Sequence, residues 1–300
     1  MIAMNIPLPL TMLLLWTLTL SGHAEEVAPG QEKKPLFAVT VTGSGRPMIL
    51  IPGLSCGGNV WDGTVAHFKD RYECHVVTLA GFAGQPAAGR EPMLEAVRDA
   101  LGQYIRDKGL QRPVIVGHSL GAFMAFWLGA TFQEEVGPVI AVDGVPFFPA
   151  LLNPTATPES MREMAKGMRS LYKTQTAGQF EFGLRMTLRG MVTGDADFDR
   201  MAESSAKSDT QAVGQALHEL MSVDLRPRVS AIRVPVLLVA ATAMATPPEQ
   251  KKQMEENYRT QVAKIPNHHV IFAPKARHFI QLDEPAFLWG EMERFLKAAE

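Results

Sequence analysis

Five consecutive residues, Gly117-His118-Ser119-Leu120-Gly121, carry the strongest chemical signal in this chain. They directly follow the apolar run Val114-Ile115-Val116 and directly precede a helix-like stretch from Ala122 to Ala130. A serine placed between glycines where a strand turns into a helix has its hydroxyl pushed out of the sheet edge. Small residues are required on both sides because the neighbouring strands and the helix crowd such a turn. The hydroxyl is a weak nucleophile by itself and needs a base within hydrogen-bond reach. The chemistry it predicts is acyl transfer, which also needs a carboxylate to orient the base and N–H donors for the developing oxyanion.

Those groups must be positioned by a fold, and the chain is long enough for one. At 300 residues and 46% hydrophobic content it can bury the core of one large α/β domain or two small ones. A formal net charge of −2 supplies no basic field for nucleic acid. Strands are predicted at 36–42, 48–51, 75–79, 114–116 and 139–142, with a helix at 93–108 stopped by Gly109. The strands are apolar without polar alternation, as in a parallel sheet covered on both faces. From about 147 to 228 no strand-like run occurs, and helices are predicted at 158–173, 180–192, 197–206 and 210–223. The alternation then resumes with strands at 236–240 and 269–272, helices near 248–262 and from Pro285 onward. A helical block between two sheet strands predicts a cap over the C-terminal edge of the sheet, where open α/β sheets bind ligands.

The expected organisation is therefore an export signal at 1–24, a flexible leader at 25–35, a core of 36–146 and 229–300, and a helical cap at 147–228. The signal reading rests on the uncharged, mostly apolar Leu8 to Leu20, ending in Ser21-Gly22-His23-Ala24. It predicts an exported, periplasmic or secreted protein with no stable membrane insertion after cleavage. The run is too short for a comfortable membrane span. No Lys or Arg precedes it, which is atypical of a signal, and an uncleaved anchor is the other reading. Cys56 and Cys74 are expected to be free thiols. Parallel strands would hold them roughly 15 Å apart, at about 3.3 Å per residue, beyond disulfide reach. The cap is rich in methionine, at 161, 164, 168, 186, 191, 201 and 221. Met161, Met164 and Met168 fall on one helical face, either as ordinary packing or as an adaptable wall for an acyl chain.

The chain resembles the α/β-hydrolase family. The resemblance covers most of residues 36–300. Its carriers are the serine turn, Ile51-Pro52-Gly53-Leu54, Val234-Pro235-Val236-Leu237-Leu238-Val239, and Arg277-His278-Phe279 before Leu282-Asp283-Glu284-Pro285. Capped single-domain esterases and perhydrolase-like members are the most similar kind. The resemblance implies a mostly parallel central sheet flanked by helices, with the cap inserted. It implies Ser119 as nucleophile and His278 as base, since the family's histidine lies between the last strand and the last helix. His118 sits on a tight turn from which adjacent side chains diverge. His268 and His269 border a strand, and His67, His75 and His218 lie outside any predicted loop at the active edge. The backbone N–H groups of Leu54 and Leu120 are the implied oxyanion donors. The acid is the irregular member. The usual aspartate position after strand 236–240 is near Met244, and no carboxylate follows until Glu249. Some members supply the acid from the preceding strand instead, which places it here at Asp143. Asp224, in a linker, and Asp283, expected to cap the final helix, are weaker candidates.

The expected activity is hydrolysis of carboxylic esters of small to medium acyl chains through an acyl-enzyme, with a small-molecule ester as partner and no metal or organic cofactor. Perhydrolase or lactonase chemistry on the same residues is an alternative. A different class also stays open, a catalytically weak α/β-hydrolase that binds an apolar small molecule, because the acid near Met244 is missing.

Overall fold

The computed structural model describes residues 34–299. The expected export signal at 1–24 and the leader up to residue 33 lie outside the described residues. Seven strands form one sheet: β1 (Phe37–Thr42), β2 (Arg46–Ile51), β3 (Tyr72–Leu79), β4 (Val114–His118), β5 (Val139–Val142), β6 (Val236–Ala241) and β7 (His268–Ala273). Their order is β1-β3-β2-β4-β5-β6-β7. All neighbours are parallel except β1, which runs antiparallel to β3. The fold is α/β, as the alternation of strand and helix predicted.

Two apolar layers show why the inner strands lack polar alternation. Ile49 and Ile51 of β2 join Val77, Leu79 and Ile115 on one face, while Met48 and Leu50 join Val114, Val116 and Ile140 on the other. Side chains alternate between faces, so a strand covered twice must be apolar at every position. The helices α1 (Asp62–Phe68), α2 (Met93–Asp107) and α3 (Leu120–Thr131) follow β2, β3 and β4. Helix α3 is buried from Leu120 through Gly129, and its sequence is accordingly apolar on all sides.

Five helices lie between β5 and β6: α4 (Phe148–Leu152), α5 (Pro158–Thr174), α6 (Ala177–Met191), α7 (Asp195–Ser205) and α8 (Thr210–Ser222). Their starts are written locally. Thr157 with Ser160 and Thr176 with Gln179 form reciprocal capping boxes, and Asp209 accepts from the Ala212 N–H at the start of α8. The insertion reaches the loops at the C-terminal ends of the strands. Ser208 Oγ donates to the Ser55 carbonyl at 3.1 Å, Arg200 to the Asn59 carbonyl at 2.9 Å, and the Phe279 N–H to the Met191 carbonyl at 3.3 Å. The chain closes with α9 (Pro248–Val262), α10 (Ile280–Asp283) and α11 (Pro285–Ala298). Helices α1, α4 and α10 were not anticipated, because four to seven residues are too few to display a helical period. Among the described residues no helix is long and apolar enough to cross a membrane.

The methionines do not form one wall. Met201 and Met221 are buried, Met161 packs on Phe147, and Met164 and Met186 face outward at 58% and 65% exposure. On α5 the buried position is Ala165, with Met161 and Met168 half-buried; Met164 is turned away from them. Both cysteines are buried and unbridged. Met48 pairs in register with Cys74, whereas Cys56 lies beyond the end of β2, as the parallel arrangement required. Burial pushes the Cys56 thiol up to about 12 and the Cys74 thiol to about 11, so neither is a thiolate at neutral pH.

Candidate active site

Ser119 joins β4 to α3 with φ 56° and ψ −115°, a left-handed conformation that a serine rarely adopts. The turn is held on both sides. The Ser119 N–H donates to the Val142 carbonyl at 2.9 Å, and its own carbonyl accepts from Ala122 and Phe123 at 3.0 and 3.1 Å. The flanking glycines are set by close approach. A β-carbon on Gly117 would lie 2.0 Å from the Gly121 oxygen, and one on Gly121 would lie 2.1 Å from the Ile51 oxygen. No side chain fits either space, which is the physical content of the glycine–x–serine–x–glycine spacing.

Asp143 lies one residue beyond β5 and also has positive φ, 45°. Its N–H donates to the Val239 carbonyl at 2.8 Å, which fixes the turn against β6. The carboxylate is almost fully buried and receives three donors. His278 Nδ1 is 2.6 Å from Oδ2, while the Tyr258 hydroxyl at 2.7 Å and the Ala241 N–H at 2.8 Å both reach Oδ1. A carboxylate only accepts, so the proton on this side of the imidazole is on Nδ1 and leaves Nε2 as the basic nitrogen. Burial, then the Asp143 charge and its hydrogen bond, raise the Tyr258 hydroxyl well above the usual tyrosine range, so it stays a donor.

His278 sits between β7 and α10, near the serine turn. Its ring centroid is 4.7 Å from that of His118, the residue next to Ser119, and its carbonyl oxygen is 3.0 Å from His118 Nε2. Among the described residues no hydrogen bond joins Ser119 Oγ to His278 Nε2. Such bonds are often long in unliganded enzymes and tighten around the substrate. The loop after β2 comes close on the other side, where a β-carbon on Gly53 would be 3.2 Å from the Ser119 β-carbon. That loop is a tight turn, closed by the Cys56 N–H on the Gly53 carbonyl at 3.1 Å with Ser55 at φ 63°. Among the described residues neither the Leu54 nor the Leu120 N–H has an intramolecular acceptor. Leu120 is the first residue of α3, whose opening N–H groups have no partner inside the helix.

The other candidates are accounted for. Asp224 is engaged by the Arg226 guanidinium at 2.7 Å. Asp283 does not cap α11; it accepts from the Thr193 and Arg277 N–H groups at 2.9 and 2.8 Å, tying the insertion to the His278 loop. His67 meets Glu293, His75 lies between Glu73 and Tyr104, and His268 bonds the Ile265 carbonyl. Met244 is 59% exposed. Two participants were missed from the sequence: Tyr258, on a helix 115 residues from Asp143, and the main-chain Ala241 N–H. The N–H belongs to the strand end after which most family members carry their aspartate.

A serine on a strained strand-to-helix turn, with an acid–imidazole pair from later strand ends, is the arrangement of an α/β hydrolase. Residues 48–290 match the alpha/beta hydrolase family, and the chain belongs to it. Among its relatives is a pimeloyl-[acyl-carrier protein] methyl ester esterase from Vibrio cholerae, 26% identical over 204 residues, covering 66% of this chain and 75% of that protein. Solved structures with the same fold include an esterase from Exiguobacterium antarcticum, with TM-score 0.71 and 16% identity, covering 87% of this chain and 95% of that one. An enol-lactonase from Burkholderia xenovorans has TM-score 0.70 and 15% identity, with 87% and 96% covered.

Proposed function

We propose that this protein is a serine hydrolase that cleaves carboxylic esters of small to medium acyl chains through an acyl-enzyme. The observation carrying the reading is the buried Asp143–His278 hydrogen bond of 2.6 Å beside the strained turn at Ser119. His278 Nε2 takes the Ser119 proton as Oγ attacks the ester carbonyl. The Leu54 and Leu120 N–H groups donate to the oxyanion, each worth about 3 kcal/mol in the transition state. As the tetrahedral intermediate collapses, His278 returns the proton to the leaving alcohol. Water then gives a proton to His278, attacks the acyl carbon, and releases the acid while Ser119 recovers its proton. Asp143 holds the tautomer and stabilises the imidazolium throughout.

The relatives' esterase activity supports the ester class. Asp143 supplies the acid whose apparent loss near Met244 motivated the pure binding reading. The N-terminal apolar run supports an exported location. The test is hydrolysis of p-nitrophenyl acetate, p-nitrophenyl butyrate and a small lactone by wild type and Ser119→Ala, with fluorophosphonate labelling mapped to a peptide. Turnover lost in Ser119→Ala and a label on Ser119 are expected. Equal rates for the two proteins would reject the proposal in favour of binding, and a faster lactone would redirect it to lactonase chemistry.

A further inference from the structure

We propose that His118 is a positioning residue that latches the main chain of His278 to the nucleophile turn. The inference rests on the serine-hydrolase reading and extends it. His118 is fully buried, and its Nε2 lies 3.0 Å from the His278 carbonyl oxygen, 160 residues away in sequence. A carbonyl only accepts, so Nε2 carries the proton and Nδ1 is a bare lone pair. That lone pair has no partner, and it faces Gly53, whose added β-carbon would be 3.0 Å away.

An imidazole with one unsatisfied buried nitrogen is a poor choice for packing alone. The ring lies against aromatic neighbours, 4.6 Å from the Phe279 centroid and edge-on to Trp61 at 6.5 Å, surroundings that would suit phenylalanine. Phenylalanine would lack only the N–H. Burial, and then the neighbouring His278 imidazole, hold the His118 pKa well below the usual histidine range. The ring therefore stays neutral and puts no second positive charge beside the imidazolium of the acylation step. Two anchors then define where His278 Nε2 points: Asp143 grips the ring at Nδ1, and His118 grips the backbone beneath it. The second anchor is peptide-bonded to the nucleophile itself, so serine and imidazole are referred to one rigid turn.

Three variants separate latch from packing. His118→Gln puts an amide nitrogen near the Nε2 position, His118→Asn stops short of it, and His118→Phe keeps the ring without the donor. Each would be followed by kcat and KM on p-nitrophenyl butyrate, by urea midpoint, and by the downfield proton resonance of the His278 Nδ1–H bonded to Asp143. In His118→Phe and His118→Asn kcat should fall roughly 10- to 100-fold with KM within about twofold, the cost of a misplaced base. The downfield resonance should broaden or vanish in both. His118→Gln should recover kcat to within about fivefold of wild type and restore the resonance. Wild-type kcat and a sharp resonance in a folded His118→Phe would overturn the proposal. So would an equal loss in the Gln and Asn variants, a comparison that holds even if the Phe variant does not fold. Absence of fluorophosphonate labelling in wild type would instead defeat the hydrolase reading, while the resonance would still decide the role of His118.

Discussion

The C-terminal edge of the sheet and the helical insertion are built to different standards. At the edge, Ser119 and Asp143 both hold positive φ, at 56° and 45°. The N–H of each donates to a neighbouring strand, and further bonds tie Ser119 to α3 and the Asp143 carboxylate to Ala241, Tyr258 and His278. In the insertion, the ion pairs Arg162–Glu159, Lys166–Glu163 and Arg185–Glu181 are exposed and lie within single helices. Pairs of that kind are worth only a few tenths of a kcal/mol each. Large apolar side chains also face outward there, among them Phe182 at 70% and Leu171 at 51% exposure. Strained conformations cost about 1–3 kcal/mol apiece and persist only where the surroundings over-determine them. The proposed chemistry therefore sits on the tightly held edge, and the outward-facing surface of the insertion carries few constraints.

The sharpest way to break this contrast is at the acid. Asp143→Asn keeps the shape but loses the charge and permits the wrong histidine tautomer, so kcat should fall about 10⁴-fold. Steady-state kinetics on p-nitrophenyl acetate decide it; full activity would move the acid elsewhere while leaving Ser119 in place. A second break is steric. The alanine methyl in Gly121→Ala would lie 2.1 Å from the Ile51 oxygen and 2.8 Å from the Pro52 oxygen, both main chain. We expect a loss of at least about 3 kcal/mol in urea unfolding, in the range of buried backbone clashes. A loss below about 1 kcal/mol would mean that the edge is soft enough to absorb the methyl.

Ser119 was legible because its signal is local: a strand, two glycines and a helix within about a dozen residues. The limits of β5 at Val139–Val142 and of α9 at Pro248–Val262 were equally plain, one from an unbroken apolar run and the other from a proline start. Asp143 could be reached only through resemblance, since a single aspartate after a strand has no periodicity. Tyr258 was invisible, because its role depends on α9 packing a hydroxyl onto a residue 115 positions earlier. His118 was expected to diverge from the site. It does turn from the serine, but onto the His278 carbonyl, a main-chain group with no sequence signature. Asp283, just before Pro285, looks like a helix cap in sequence, whereas tertiary donors from Thr193 and Arg277 claim it.

The buried His118 sharpens the comparison through pH. Its folded pKa lies below its unfolded value of 6.5, so below pH 6.5 the unfolded chain binds a proton that the native state refuses. The stability it confers is complete above pH 6.5 and declines as pH falls toward the depressed folded value. The slope is about 1.4 kcal/mol per pH unit for one group. In urea titrations from pH 7.5 to 5, wild type should lose stability relative to His118→Gln by up to that slope below pH 6.5; parallel curves would show a ring that protonates freely. A somewhat smaller effect is expected for Tyr258→Phe, which leaves the Ala241 N–H as the remaining donor to Asp143 Oδ1. We expect about 1 kcal/mol of stability lost and a fivefold to tenfold lower kcat. Loss of stability with kcat untouched would make Tyr258 a packing residue.

The smallest effect belongs to the insertion. Phe182→Ser and Leu171→Ser replace outward apolar side chains on α6 and α5. Stability should change by less than about 0.5 kcal/mol, the usual range for surface sites, and turnover of p-nitrophenyl acetate should stay at the wild-type rate. A chain-length series from acetate to octanoate gives this prediction its force. If the variants match wild type throughout, the insertion is a spectator for short acyl groups and the chemistry belongs to the sheet edge alone. If they match on acetate but lose octanoate, these exposed side chains close over longer acyl chains in the loaded enzyme. The division between a rigid edge and a permissive insertion would then hold only for the smallest substrates.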